Sequence, residues 1–185
     1  MEHWLDILQT SLPAARTVNS IMATNEYTAK FGLVLSEEQA LRLCETRNAA
    51  LRAEGRVEFG NGIIDRLIYE FCDSPNINLA NFEDSLHELI RAFYLYKNET
   101  DDRIGDVELM KLMRKLFDGV CRGDFDLLEN DELDKLSRTV RDGTYFSKKD
   151  NLGFYLLCNK PNCTHNDKEC NAFDRSMLGY WDGHL

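Results

Sequence analysis

Three cysteines and one histidine crowd into a short stretch near the C-terminus, Cys158-x4-Cys163-x-His165-x4-Cys170. Three thiolates and one imidazole are the donor set of a common closed zinc site, where a tetrahedral ion keeps no open position and its role is structural. Cys163 and His165 are two residues apart, so both can face one ion only if the backbone between them is extended. Pro161 and Asn162 favour a turn that brings Cys158 round to them. Free thiols, or one disulfide with a cysteine left over, are the alternatives.

A second chemistry centres on Arg47. At about 100° per residue it falls inside the apolar arc of a helix, beside Ala40 and Leu43. A guanidinium placed there either grips an anionic ligand or needs a carboxylate, Glu70 for example, or lets its stem snorkel to the rim. Gly60-Asn61-Gly62 stands ahead of the next helix, where a phosphate would meet free amides. Arg47, Gly60 and Gly62 are therefore the candidate ligand-binding residues. The run lacks the third glycine of a dinucleotide fingerprint and has no Lys-Ser/Thr after it, so a tight helix connection is the simpler reading.

Other motifs weaken on inspection. The stretch from Phe93 to Leu109 has the outline of a calcium loop, but Lys97 holds the first ligand position and Asp102 the position that requires glycine. Asp118 to Glu129 places Val120 and Arg122 where oxygen donors belong. No calcium is expected at either. Cys72 and His87 are nucleophile and base types, with nothing in their spacing to bring them together. No Ser/His/Asp order, paired catalytic carboxylates or HExxH pattern occurs, and the sequence points away from an enzyme.

The elements that position these residues are helical. Ser36-Glu37-Glu38-Gln39 is a capping box, and the helix it opens should run to Glu54 with Gly55 closing it. Its apolar stripe is Ala40, Leu41, Leu43, Cys44, Ala50 and Leu51. A second helix carries Ile63, Ile64, Leu67, Ile68 and Phe71 on one face and ends before Pro75. Asn81 caps a third, whose Phe82, Leu86, Leu89, Ile90, Phe93 and Tyr96 face one way. A fourth spans about 106–117, and Asn130 caps a last one that buries Leu133, Leu136 and Val140. The stretch before Phe31 is a weakly patterned helical arm divided at Pro13. After Gly143 two aromatic-rich runs, 144–146 and 154–157, read as strands of a hairpin. The expected fold is mainly α: a compact helical domain of about five helices over residues 1–142, with a small β-hairpin and Cys/His tail over 143–185.

The 185 residues carry a net charge of −10. Residues 143–185 hold five basic and five acidic residues, so the whole excess falls on the helical part. Such a body repels phosphate backbones and anionic membrane surfaces, which argues against nucleic acid and membrane as partners. No apolar run approaches the roughly 20 residues of a bilayer span. The first residues lack a basic, then apolar, export pattern, and the chain reads as cytoplasmic. Isolated Cys44, Cys72 and Cys121 read as small buried hydrophobes.

The runs LSEEQALRLCETRNAALRAEGRVEFGNGIIDRLIYEFCDSP, YKNETDDRI and KLFDGVCRGDFDLL carry a resemblance. Over about residues 32–141 the chain resembles a bacterial domain-of-unknown-function family, number 6323. That resemblance implies a cytosolic, mainly helical protein and carries no catalytic residues. LLCNKPNCTHNDKECNAF is similar to a Cys/His segment of exported bacterial lipoproteins of unknown role, which implies export and disulfide-bonded cysteines instead. The functional expectation is a non-enzymatic interaction or adaptor module for a protein partner, with a zinc-stabilised tail. The alternative is a small-molecule binding protein or enzyme that holds an anion with Arg47 and the Gly60–Gly62 turn.

Overall fold

The structure, a computed structural model, describes residues 3–58 and 62–145. Two compact units divide the chain, Met1–Ser137 and Arg138–Leu185. The hairpin and the Cys/His tail expected after Gly143 lie outside the described residues.

The described residues are helical, and no strand occurs among them. Helix α1 (His3–Thr28) leads through a 3-10 turn (Ala29–Phe31) to α2 (Glu37–Ala53), α3 (Ile64–Phe71), α4 (Phe82–Glu99) and α5 (Asp106–Asp118). A short α6 (Phe125–Leu127) then runs through a π-helical turn (Leu128–Leu133) into α7 (Asp134–Arg141). Helix α1 passes through Pro13 instead of dividing there. The proline forfeits one backbone donor. Beyond it α1 is fixed by buried Thr17, Val18, Ile21, Thr24 and Thr28.

Local signals in the sequence account for both ends of α2. The Ser36 hydroxyl accepts from the Gln39 amide at 3.2 Å and the Gln39 side chain accepts from the Ser36 amide at 2.8 Å, the expected capping box. At the other end Gly55 takes φ +62°, and the Arg56 amide bonds back to the Leu51 carbonyl at 2.8 Å. Two caps differ from expectation. Asn81 turns backwards, accepting from the Asn78 amide at 2.8 Å and donating to the Asn76 carbonyl at 3.1 Å. The last helical run starts before Asn130, because the Asp124 carboxylate caps the Leu127 amide at 3.0 Å. Asn130 lies inside the π turn.

Helix α3 is the centre of the core. Ile63, Ile64, Leu67, Ile68 and Phe71 are wholly buried, and α1, α2, α4 and α5 all pack against this helix. Phe71 meets Phe117 of α5 edge-on at 5.8 Å, and Phe117 in turn meets Phe125 at 4.8 Å. The expected α2 stripe is buried except for Leu41, which faces solvent. It lies about 100° from Ala40, at the margin of the arc. The wide π turn frees backbone acceptors, and the Tyr96 hydroxyl donates to the Glu129 carbonyl at 2.5 Å.

The α4–α5 connection is the stretch with calcium-loop outline, and its centre is taken by the chain's own cation. The Lys97 ammonium is buried and donates to the Ile104 carbonyl at 2.7 Å, with Asp106 at 3.0 Å and Asp102 at 3.1 Å. Arg56 grips Asp102 with both terminal nitrogens, at 2.7 and 3.0 Å, which holds that carboxyl below its usual range. Asp101 and Asp102 sit in the left-handed region at φ 49° and 57°, a conformation that short polar side chains tolerate better than most. Lys97→Met would strand the Ile104 carbonyl and leave two carboxylates facing each other. Both carboxylates keep access to water, so the expected cost is about 2 kcal/mol, below that of a fully buried pair. Urea denaturation measures it, and an unchanged midpoint contradicts this account of the loop.

Candidate functional site

The helical unit brings Arg47 and Gly62 together. Gly62 takes φ +73°, and a Cβ placed on it would come within 2.9 Å of Arg47 Nη1 and 2.6 Å of Glu58 Oε2. The absent side chain is what lets the α2 guanidinium and the Glu58 carboxylate approach the turn into α3. Glu58 accepts a short hydrogen bond from the hydroxyl of Tyr94, itself buried on α4. Arg47 also reaches Asn48 Oδ1 at 3.2 Å. Gly60 lies outside the described residues.

Side chains of opposite charge flank this glycine. The carboxylate set against the same glycine as Arg47 is Glu58. Glu70, the partner that the helical spacing offers, instead lends its backbone carbonyl to Arg114. Burial pushes the Tyr94 phenol well above its ordinary range, and the Glu58 hydrogen bond adds to that, with Arg47 opposing weakly. Tyr94 is thus a hydrogen-bond donor rather than a nucleophile. An anion drawn to Arg47 meets Glu58 on arrival. Neither Glu58, in an irregular stretch, nor Tyr94, outside the apolar stripe expected of its helix, was visible as a partner in the sequence.

A second polar seam joins α2 to α4. Thr46 Oγ1 stands 2.7 Å from His87 Nδ1, and His87 Nε2 stands 3.6 Å from Glu83 Oε1. The order hydroxyl–imidazole–carboxylate matches a hydrolytic relay. The surroundings do not, because Thr46 lies inside α2, where amides are committed to the helix and offer no hole for an oxyanion. Glu83 is also held by Arg42 Nε at 2.7 Å and Gln39 Nε2 at 2.9 Å. His87 is half-buried in this seam. Cys72 makes its own contact elsewhere, with the Tyr69 carbonyl at 3.5 Å.

The described cysteines are poor nucleophiles. Cys44, Cys72 and Cys121 are buried free thiols, and burial pushes all three up, Cys121 to about 11. Among the described residues no group of three His, Cys, Asp or Glu side chains is placed to hold a metal ion. The candidate ligands Cys158, Cys163, His165 and Cys170 lie outside them. No described helix is long and apolar enough to cross a membrane.

One surface feature escaped the sequence reading. Tyr27 at the end of α1, Phe31 in the 3-10 turn and Tyr69 on α3 are 44%, 40% and 46% exposed, and Tyr27 touches both of the others. Tyr27 meets Phe31 at 5.8 Å and Tyr69 at 5.5 Å between ring centroids. Lys30 lies over the cluster. Tyr27 and Phe31 belong to the weakly patterned arm, and Tyr69 is separated from them by more than one helix, so linear spacing gives no sign of the contact.

Two measurements test this geometry. Gly62→Ala should cost about 1–3 kcal/mol, through the left-handed φ and the collision with Arg47 and Glu58. A thermal midpoint equal to that of the parent would mean that the turn is not closed on Arg47. Arg42 holds Glu83 down from 4.5 to about 2, with Gln39 and the nearby His87 helping. The folded value lies below the unfolded one, so this pairing stabilises above about pH 4.5 and is lost as pH falls towards 2. In Glu83→Gln that part of the acid decline in stability should flatten, as followed by urea midpoints between pH 5 and 2.

Comparison with known proteins agrees on one point. No curated protein and no solved structure matches the chain. The sequence profile of DUF6323, a family of unknown function, matches residues 20–145. That span starts within α1 and takes in Arg47, Gly62, Tyr94 and the aromatic cluster, and the chain therefore belongs to the DUF6323 family.

Proposed function

We propose that this chain is a non-enzymatic interaction module, and that the Tyr27–Phe31–Tyr69 face of its helical unit receives a protein partner. The carrying observation is that three large rings meet at the surface, each two-fifths or more exposed. Aromatic clusters that stay in contact with water are enriched at binding surfaces, where burial by a partner recovers the hydrophobic free energy. The reactive side-chain types support the same reading, because Tyr94 is a protonated donor and the described thiols are buried. Its test is a photo-crosslinking phenylalanine analogue at Phe31 in cells. One defined adduct should form, and Tyr69→Ser, at a solvent-facing position, should remove it without moving the thermal midpoint by more than about 1 °C. No adduct from a folded protein would end the reading.

A second reading rests on the approach of Arg47 to Gly62: binding of a small anion there, in competition with Glu58. Phosphate that raises the thermal midpoint of the parent and not of Arg47→Ala would favour it.

The tail carries its own proposal. Cys158, Cys163, His165 and Cys170 hold one structural zinc ion, as their donor types support. Purified, reduced protein should contain one zinc per chain by elemental analysis, and Cys163→Ser should release it. A reduced, intact sample free of metal excludes the site.

A further inference from the structure

The exposed aromatic cluster already holds a cation. Lys30 Nζ stands 3.4 Å from the centroid of the Tyr27 ring and 4.8 Å from that of Phe31. Tyr27 meets its two neighbours at steep angles, 62° to Phe31 and 72° to Tyr69, so the rings wall a corner instead of stacking. Ring faces carry the negative part of the aromatic quadrupole, so they attract an ammonium and disfavour an anionic group. Lys30 itself is exposed and borne on a flexible four-carbon stem. A second ammonium can take its place at little cost to the fold.

We infer that the rings of Tyr27 and Phe31, with Tyr69 set against Tyr27, form an ammonium-binding site, that Lys30 is its resident occupant, and that a lysine side chain of a partner protein displaces it. The inference rests on the reading of this face as a docking surface, and adds the chemistry recognised there. The charge of the chain favours the same occupant. A net charge of −10, carried by residues 1–142, draws a basic segment and repels an acidic one. Lys30 then acts as a self-competitor, and apparent affinity falls by the fraction of time that it covers the rings.

The experiment uses the full chain and follows the ring protons of Tyr27, Phe31 and Tyr69 by NMR. The probes are a ten-residue peptide alternating lysine and glycine, and the same peptide with every lysine acetylated. The lysine peptide should shift the ring resonances, and the acetylated one should not. Lys30→Gln should tighten lysine-peptide binding about three-fold, as expected for losing one exposed cation–π competitor. Lys111→Gln removes the same charge from an exposed position on α5 and should leave the affinity unchanged. Tyr27→Leu should abolish the shifts, with Tyr69→Leu as the second variant if the first fails to fold. Equal ring shifts with the acetylated peptide would overturn the ammonium site and leave the docking face standing. Lysine-peptide binding without ring shifts, or an unaltered affinity in Lys30→Gln, would reduce the effect to diffuse attraction and overturn it as well. Failure of both peptides to bind also overturns it, whereas the crosslink at Phe31 reports on the docking face independently.

Discussion

Helix α3 cannot exist by itself. Eight residues are too few to stabilise an isolated helix in water, since nucleation consumes most of what so few hydrogen bonds return. What holds it is burial of Ile63, Ile64, Leu67, Ile68 and Phe71, with each side chain contributing roughly 1.5–3 kcal/mol when removed from water. That burial requires apolar surface on several sides at once. Helices α1, α2, α4 and α5 supply it, and the fold of the helical unit is the arrangement that encloses this short, greasy element.

The polar clusters follow from that enclosure. Packing α2, α4 and α5 around α3 brings charged residues near the ends of the helices into partial burial, where each needs a partner. Lys97 finds Asp102, Asp106 and a backbone carbonyl. At the far end of α5, Arg114 finds Asp73, Asp118 and the carbonyl of Glu70, while Ser74 donates to the same Asp118 at 2.5 Å. Arg47 faces Glu58 across a glycine that leaves room for both. These networks join helix ends that the apolar core alone would leave free to slide. They also commit most of the buried functional groups to structural work.

The aromatic cluster lies on the outside. The cluster of Tyr27, Phe31 and Tyr69 arises where the end of α1 passes α3, and neither helix needs it for burial. Lys30 covers the rings with a cation instead of a second apolar layer. A face of this kind keeps apolar area available while staying soluble, because an ammonium over the rings is easily exchanged and an aliphatic cover would not be.

The sequence by itself determined the helices and most of their inward faces. Periodicity at Ile63–Phe71 and Phe82–Tyr96, and the capping box at Ser36–Gln39, are encoded within one or two turns of chain, and short-range physics reads them directly. It also marked Arg47 and Gly62 as residues of interest. Only the tertiary structure decided what those residues meet. Glu58 beside Arg47, Tyr94 on Glu58, Thr46 and Glu83 about His87, and Tyr69 against Tyr27 are all contacts across separate elements, set by how helices cross and not by spacing along one of them. The misplaced caps at Asn81 and Asn130 have the same origin. A capping side chain takes the nearest unsatisfied amide, and which amide is nearest depends on the turn that packing has imposed.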